Sequence, residues 1–327
     1  MGTLWGIQYL RAVAAITVLF FHAALGAGRD DALGTGGVDI FFVISGFLMF
    51  QLASREPACG KFAWDRIKRI VPAYWLVTLI VAVIQFGGGT VNSTFDFWHL
   101  VKSLAFIPDM DAARGQAYPT LIVGWTLNYE MFFYAVVTGL LLIERNLRFF
   151  TLSFLFSALI IIGEVLQGSS VVLDFYSAPI VLEFVAGAML SELWRAKALP
   201  RSGWVLVVVG ALLMNAWLPF TLPRFISYGM PAFIIVMGIL AEELRRPIKK
   251  FESLKLLGDA SYSIYLWHLF IVTAIFCGLG SNPAAFGLAL IGGVGIGVVF
   301  YRMFELPAGR LILRFESFRA RMATQRA

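Results

Sequence analysis

The stretch IQYLRAVAAITVLFFHAALGA (residues 7–27) is apolar over the length of a membrane-spanning helix, yet it contains an arginine and a histidine. Apolar segments of about 17–22 residues suit the roughly 30 Å hydrocarbon core of a bilayer. Ionisable side chains within such a segment are costly and usually functional. The stretch therefore predicts a first transmembrane helix in which Arg11 and His22 do more than pack.

The composition extends this conclusion to the whole chain. Of its 327 residues, 59% are hydrophobic and 14% are charged, whereas soluble domains have about 25% charged residues. Because a soluble fold cannot bury so much apolar surface, the bilayer must solvate most of it. We predict one membrane domain (1–310) and a basic cytoplasmic tail (311–327). Three histidines and two cysteines are too few for a zinc-finger type cluster, and no metal is expected.

Ten apolar segments recur along the chain and predict an all-α integral membrane protein, a bundle of about ten transmembrane helices. They lie near residues 7–27, 37–53, 70–87, 125–143, 149–167, 174–192, 203–218, 228–243, 258–279 and 284–304. Since ten crossings are an even number, both termini are expected on the same side of the membrane.

The positive charges indicate which side that is. The connections on the side of the termini, together with the tail, contain 20 Lys and Arg, and the opposite connections contain four. An excess of Lys and Arg marks cytoplasmic loops, so we predict cytoplasmic termini for a multi-pass protein of the cell (inner or plasma) membrane. The same rule explains the net charge of +6 without a nucleic-acid partner.

Arg11 and His22 are predicted to share one face of the first helix. Eleven residues at about 100° each make three turns plus roughly 20°, and they separate the two positions by about 16 Å along the axis. With cytoplasmic termini, Arg11 lies near the inner end and His22 in the outer part. The alternative is that Arg11 snorkels to the interface and His22 is a packing residue.

A carboxylate is predicted at the depth of this histidine. The segment GWTLNYEMFFY (124–134) enters from the outside at Trp125, which places Glu130 about 8 Å below the outer surface. A carboxylate beside an imidazole can orient it and stabilise its charged form. We therefore predict a pair between His22 and Glu130; the alternative is an ion pair with another cation.

A dense basic cluster precedes the third span. In DRIKRIVPAYW (65–75), Arg66, Lys68 and Arg69 crowd the predicted cytoplasmic mouth. They either reflect the positive-inside rule or hold phosphates. In GVDIFFVISGF (37–47), the small residue Ser45 lies near mid-membrane, where it permits close helix packing or the passage of a narrow ligand.

Three further polar residues fall within or beside predicted spans. Asp39 lies at the outer mouth of the second helix, where capping of that helix is the alternative role. Glu183 and His268 lie near mid-membrane, and either could line the same cavity.

Five motifs together resemble the acyltransferase 3 family of multi-pass membrane acyltransferases. In chain order they are YLRAVAAITVLFFHA, GVDIFFVISGF, RIKRIVPAYW, GWTLNYEMFFY and SYSIYLWHLF. The resemblance covers about residues 5–305. The short chain is similar to the branch of exopolysaccharide O-acetyltransferases of the succinoglycan type.

The resemblance implies transfer of an acyl group, usually acetyl, from cytoplasmic acyl-CoA to a hydroxyl of a sugar or related acceptor on the far side. Arg11 and His22 match the first-helix motif of the family, Arg66 and Arg69 its basic motif, and Glu130 its acidic position. Family members often have W-S-L-x-x-E-E or W-S-L-x-x-E-x at that position, whereas this chain has TLNYEM, with a single glutamate and Asn128 nearby. The role of a second carboxylate is therefore absent here or filled elsewhere.

The expected mechanism has acetyl-CoA entering from the cytoplasm, its phosphates meeting the basic cluster and its arm passing Arg11. His22 then acts as general base or as nucleophile through an acyl-imidazole, with Glu130 orienting it; the residues do not distinguish these routes. The donor side is expected to comprise Arg66, Lys68, Arg69, Ser45 and Tyr74. The acceptor side, for a carbohydrate or lipid-linked saccharide, is expected to comprise Asp39, Trp125, Asn128, Glu183 and His268.

A different class, a transporter or flippase of a small or lipid-linked molecule, also accommodates buried charges, as a proton relay. Transporters often contain inverted repeats and broken helices, and the sequence has no clear pair of such segments. Binding of acetyl-CoA discriminates the two classes, because a transporter has no need of it.

Overall fold

The computed structural model describes residues 3–29, 34–88, 95–215 and 222–324, with side chains as far as Ser317. Within these ranges the chain is helical and has no β-strand, which confirms the all-α prediction. The α-helices are α1 (Trp5–Gly26), α2 (Gly37–Ala53), α3 (Cys59–Phe86), α4 (Phe97–Leu104), α5 (Trp125–Leu140), α6 (Arg145–Val165), α7 (Val171–Tyr176), α8 (Leu182–Arg195), α9 (Gly203–Asn215), α10 (Met230–Arg245), α11 (Glu252–Asp259), α12 (Ser261–Leu279), α13 (Pro283–Phe300) and α14 (Leu306–Thr324).

Each of the ten predicted spans overlaps a helix, and the span 174–192 extends over parts of both α7 and α8. Six helical stretches in the described ranges are long and apolar enough to cross a membrane: Trp5–Gly26, Cys59–Phe86, Arg145–Val165, Phe225–Arg245, Ser261–Leu279 and Pro283–Ser317. The apolar helices α2 and α9 are shorter. Residues 216–218 of the seventh predicted span and 325–327 of the tail lie outside the described residues.

The helix α2 lies at the centre of the bundle. Thirteen of its 17 residues are buried, and it packs against α1, α5, α8 and α10. A helix that is apolar all round is buried all round, and GVDIFFVISGF is such a sequence. Its few polar side chains therefore face the interior of the protein.

The basic cluster lies in a helix and not in a loop, so the prediction of a connection at 54–69 is largely wrong. The helix α3 begins at Cys59. Asp65 pairs with Lys61 one turn before it (3.0 Å) and with Lys68 one turn after it (2.9 Å), and such pairs stabilise helices. Arg66, Lys68 and Arg69 are consequently held on a regular helical surface.

The C-terminal helix α14 runs through the predicted domain boundary at residue 310. It docks on α3 through Glu316, which accepts hydrogen bonds from Lys68 Nζ (2.7 Å) and Trp64 Nε1 (2.6 Å). The beginning of the basic tail is thus a helix attached to the bundle.

The segment between α3 and α5 reaches into the bundle. Tyr74 Oη donates to the Ser103 carbonyl (3.1 Å) and Trp75 Nε1 to the Leu104 carbonyl (2.9 Å). Tyr74 lies 12 residues before Phe86, the last residue of α3, which is about 18 Å along the helix. We call residues 97–124 the re-entrant segment, because they reach the middle of α3 instead of staying at its outer end.

A buried arginine joins three helix ends. Arg148 Nη1 donates to the Ala53 carbonyl (2.8 Å), and its Nε donates to the carbonyls of Leu140 (3.1 Å) and Ile143 (3.0 Å). Carbonyls at helix C-termini have no partner within the helix. Arg148 therefore satisfies the ends of α2 and α5 from the first turn of α6.

We expect Arg148→Met to lower the free energy of unfolding by about 3 kcal/mol, because it leaves several buried carbonyls unsatisfied at a cost of roughly 1–3 kcal/mol each. The measurement is thermal unfolding of the detergent-purified protein. Arg145→Met is the matched control, since Arg145 is exposed on the same helix. Equal unfolding temperatures for the two variants would contradict the capping role.

Candidate active site

A cavity of about 340 Å³ lies between α1, α2, α3, α5 and α12. Along α2 its lining extends from Val38 to Leu52, about 21 Å of helix at 1.5 Å per residue. The polar side chains that line it include Gln8, Arg11, Ser45, Arg66, Arg69, Thr126, Glu130, Tyr134 and Tyr262. Its two ends lie toward the predicted inner and outer sides.

Arg11, Arg66 and Arg69, which we call the arginine cluster, line this cavity and also a second one of about 480 Å³ between α3 and α14. In the described part of the chain, no carboxylate lies within ion-pair distance of these three guanidinium groups. Arg11 Nη1 donates to Gln8 Oε1 (3.2 Å), and Arg66 Nε is buried without a hydrogen-bond partner. Cations held without a paired anion attract one.

Lys68 differs from its two arginine neighbours. It lines the second cavity, but its ammonium is paired with both Asp65 (2.9 Å) and Glu316 (2.7 Å). Its charge is therefore already compensated, and the unpaired positive charge at this site belongs to the arginines.

Glu130 contacts hydroxyl groups. Ser45 Oγ donates to Glu130 Oε1 (3.2 Å), and Tyr134 Oη, one helical turn further on, donates to the same oxygen. No hydrogen bond or ion pair joins Glu130 to His22 among the described residues, and His22 does not line the 340 Å³ cavity. The predicted pair of His22 and Glu130 is therefore wrong in this structure.

The re-entrant segment explains the error. Tyr265 lies only four residues after the first residue of α12, and its Oη is 2.7 Å from Thr126 Oγ1, at the start of α5. The helix α5 thus starts deep in the bundle and not at the outer surface. Glu130 is about 7.5 Å further along α5 than Trp125, which brings it to the cavity that the arginine cluster lines.

His22 contacts a histidine instead. His268 Nε2 lies 3.1 Å from His22 Nδ1, and the same His22 nitrogen lies 3.0 Å from the Val18 carbonyl oxygen. Arg11 shares its cavity with Tyr265, also on α12. Because α1 is unbroken from Trp5 to Gly26, the spacing of 11 residues places Arg11 and His22 on one face of the helix, as predicted.

A second polar group, the outer cluster, comprises Asp39, Glu183 and Arg224. Arg224 donates to both carboxylate oxygens of Asp39, from Nη2 (2.6 Å) and Nε (3.0 Å). This arginine is therefore the partner of Asp39 in the structure. Glu183 is fully buried beside the pair, and its carboxyl group is close enough to Asp39 for a hydrogen bond.

Asn128 is also buried, and neither of its amide atoms has a hydrogen-bond partner. Buried unpartnered polar groups are rare and indicate a water, an ion or a ligand. Among the described side chains, no group of three His, Cys, Asp or Glu could hold a metal ion.

Six predicted ligand contacts line neither of the two cavities: Tyr74, Trp125, Asp39, Asn128, Glu183 and His268. Tyr74 is fully buried and packs on the ring of Phe106, and its hydroxyl holds the re-entrant segment. Trp125 packs edge-on against Tyr129. Tyr74 and Trp125 thus make packing contacts in this structure.

Three residues of these sites were missed by sequence reasoning. Arg224 is one of the four positive charges on the opposite connections, and nothing in its local sequence indicates a site. Tyr134 follows Glu130 by one helical turn, and this spacing indicates that the two side chains can meet. Glu305 ends a π-helix (Tyr301–Glu305), lines the second cavity and accepts from Ser263 Oγ (2.5 Å). Its signal was a carboxylate at the edge of an apolar span, next to a helix type that is frequent at functional sites.

Taken with this geometry, the sequence defines a class of protein: the chain belongs to the acyltransferase 3 family. The family profile, described as an acyltransferase domain, matches residues 4–302. With its apolar helices, the chain is a multi-pass membrane protein of that family.

Particular relatives include two kinds of protein. The chain is 38% identical over 301 residues to the exopolysaccharide production protein ExoZ of Rhizobium meliloti (strain 1021), covering 88% of this chain and 94% of ExoZ. It is 24% identical over 314 residues to the peptidoglycan O-acetyltransferase OatA of Listeria monocytogenes, covering 82% of this chain and 49% of OatA. No solved structure matches the chain.

Proposed function

We propose that this protein is a membrane O-acetyltransferase that moves an acetyl group from cytoplasmic acetyl-CoA to a hydroxyl of a carbohydrate at the outer side of the membrane. The observation that carries the proposal is the arginine cluster, three cations without an ion pair at the wall shared by two cavities. Family membership supports the reaction class. The likeness to ExoZ and OatA supports a polysaccharide acceptor, such as an exopolysaccharide or its lipid-linked precursor.

The proposal includes ten crossings and cytoplasmic termini. The asymmetry of positive charge supports this orientation. Five of the ten helices have only 13–17 residues, shorter than the roughly 20 that usually span. Adjoining 3₁₀ and π-helical turns lengthen three of them, and a bilayer thins locally around short spans. Residues 1–310 would form the membrane domain, with 311–327 as the cytoplasmic tail.

The donor would bind across the arginine cluster. Guanidinium groups suit phosphate because their planar donors match its oxygens, and acetyl-CoA carries several phosphates at the end remote from its thioester. The second cavity, beneath α14, would take the nucleotide part. The 340 Å³ cavity would take the pantetheine arm, with Ser45 and Glu130 on its wall.

The chemistry would belong to His22 as general base toward the acceptor hydroxyl. Glu130 would hold the hydroxyls of Ser45 and Tyr134 on the donor side of the cavity, since its contacts are with them. A closed bundle around the thioester would exclude water, which otherwise hydrolyses it.

The outer cluster would meet the acceptor. Asn128 presents buried amide atoms without partners and Glu183 a buried carboxyl group, and carboxylate and amide oxygens accept hydrogen bonds from sugar hydroxyls. Arg224 would hold Asp39 in place through its two hydrogen bonds.

Acetyl-CoA binding tests the donor assignment. We expect the double variant Arg66→Ala/Arg69→Ala to weaken binding of acetyl-CoA about 100-fold, because hydrogen bonds to charged groups are each worth about 1.5–3 kcal/mol. The measurement is isothermal titration calorimetry on protein in lipid nanodiscs.

Lys61→Ala is the matched control, since Lys61 lies on the same helix but is 71% exposed. Unchanged affinity in the double variant would mean that these arginines reflect only the positive-inside rule. If the wild-type protein does not bind acetyl-CoA at all, the enzyme proposal fails and a transporter becomes the better reading.

A further inference from the structure

The contact between His22 and His268 constrains the proton positions on both rings. His268 is fully buried on α12, and its Nδ1 lies 2.7 Å from the carbonyl oxygen of Tyr265. Its Nε2 lies 3.1 Å from His22 Nδ1, with the ring centroids 4.8 Å apart. Both ring nitrogens of His268 are therefore engaged within the protein, which leaves none for an acceptor molecule.

The hydrogen-bond directions follow from the carbonyl groups. A carbonyl oxygen only accepts, so His268 Nδ1 carries a hydrogen and donates it to Tyr265. In a neutral ring the other nitrogen, Nε2, is then an acceptor. The Val18 carbonyl, 3.0 Å from His22 Nδ1, requires that this nitrogen also carry a hydrogen. The two requirements agree: His22 Nδ1–H donates toward both Val18 and His268 Nε2.

This arrangement leaves His22 Nε2 without a hydrogen, and none of the residues that the structure describes is hydrogen-bonded to its lone pair. A general base needs such a lone pair, and in the Ser-His-Asp triad a third group fixes the tautomer that provides it. We propose that His268 is the positioning residue of His22, which together with the Val18 carbonyl holds the ring and the tautomer whose Nε2 can take a proton from the acceptor. The inference rests on the proposed function, in which His22 is the base, and gives His268 the role that the sequence suggested for Glu130.

The position of His268 is itself held by the re-entrant segment. Tyr265, whose carbonyl orients His268, donates through its Oη to the Val123 carbonyl (2.9 Å) and lies 2.7 Å from Thr126 Oγ1. Tyr262 Oη, one turn earlier, donates to the Ile70 carbonyl of α3 (2.8 Å). Hydrogen bonds to two other parts of the fold therefore hold α12, three and six residues before His268.

Nitrogen NMR tests the tautomer without reference to activity. The chain has three histidines, so ¹⁵N-histidine labelling gives three imidazole pairs, which His22→Gln and His99→Gln assign. We expect His22 with hydrogen on Nδ1 and a bare Nε2 in the wild type. Hydrogen on His22 Nε2 and none on Nδ1 would overturn the proposal, whatever the variants do.

Two substitutions of His268 test its effect on transfer. His268→Phe keeps the ring volume but removes the acceptor, and we expect kcat to fall about 100-fold with acetyl-CoA affinity unchanged, because only the Val18 carbonyl then orients the His22 ring and small misplacements of a catalytic group cost about that much. His268→Gln retains an acceptor oxygen, and we expect it to recover at least tenfold over the phenylalanine variant. If both variants bind acetyl-CoA normally and the glutamine variant is no more active than the phenylalanine variant, His268 is not a positioning residue.

The proposed function fails in a different way. If wild-type protein transfers no acetyl group, or if removal of His22 leaves transfer intact, the assignment of His22 as the base is wrong even when the NMR tautomer is as expected. Loss of acetyl-CoA binding in both His268 variants would indicate a folding role and would overturn the positioning role.

Discussion

His22→Ala is expected to reduce acetyl transfer at least 1,000-fold while acetyl-CoA affinity stays within a factor of two of the wild type. General-base catalysis contributes about 10²–10⁴-fold, and His22 lines neither the 340 Å³ cavity nor the cavity beneath α14. Removing it should therefore lower kcat without weakening the donor site. Transfer is measured as acceptor-dependent release of free CoA, with polysaccharide precursor in proteoliposomes.

His99→Gln is the matched control among the three histidines. His99 lies in the re-entrant segment and contacts Asp109 (3.3 Å), away from α1 and α12, so its variant should retain wild-type kcat. Full activity in His22→Ala would remove this residue from the chemistry. A loss of acetyl-CoA binding in the same variant would point to a structural role.

Gly187→Ala is expected to prevent normal folding of the bundle. The helices α2 and α8 approach each other through two glycines, Gly46 and Gly187. A β-carbon at Gly187 would overlap the Val43 carbonyl oxygen and lie 2.7 Å from Phe47 N, and one at Gly46 would overlap the Phe184 carbonyl oxygen. Overpacking a core costs about 1–3 kcal/mol, and here the colliding atoms are backbone. We expect the folded yield in detergent to fall at least tenfold by size-exclusion chromatography.

Gly139→Ala provides the comparison for that substitution. Gly139 lies in α5, and a β-carbon there would meet no atom within 4 Å. Alanine is the better helix former by about 1 kcal/mol, so this variant should be at least as stable as the wild type. Equal yields of the two variants would contradict the close approach of α2 and α8.

The close glycine contact also settles one alternative that the sequence left open. Small residues near the middle of the second span could serve packing or the passage of a ligand. The structure assigns packing to Gly46, against α8, and places its neighbour Ser45 on the cavity wall beside Glu130. Ser45 and Gly46 are successive residues, so they point about 100° apart around the helix, which allows one to line the cavity and the other to pack.

Hydropathy and helical periodicity predicted the parts of the fold that depend on one helix at a time. The bounds of α2 were predicted to the residue, and the common face of Arg11 and His22 followed from 11 residues at 100° each. Both results need only the length and pitch of a helix in a bilayer. The start of α3 was missed because charged residues were read as a loop, although their spacing favours a helix.

The sequence by itself determined that this protein is helical, that it lies in a membrane, and that its first helix presents a cation and a base on one face. Only the tertiary structure decided which groups meet them. The depth of Glu130 depended on the re-entrant segment, whose hydrogen bonds to Tyr74 and Trp75 join distant parts of the chain. The partner of His22 lies 246 residues away on α12, and no local pattern specifies a contact formed by packing between helices.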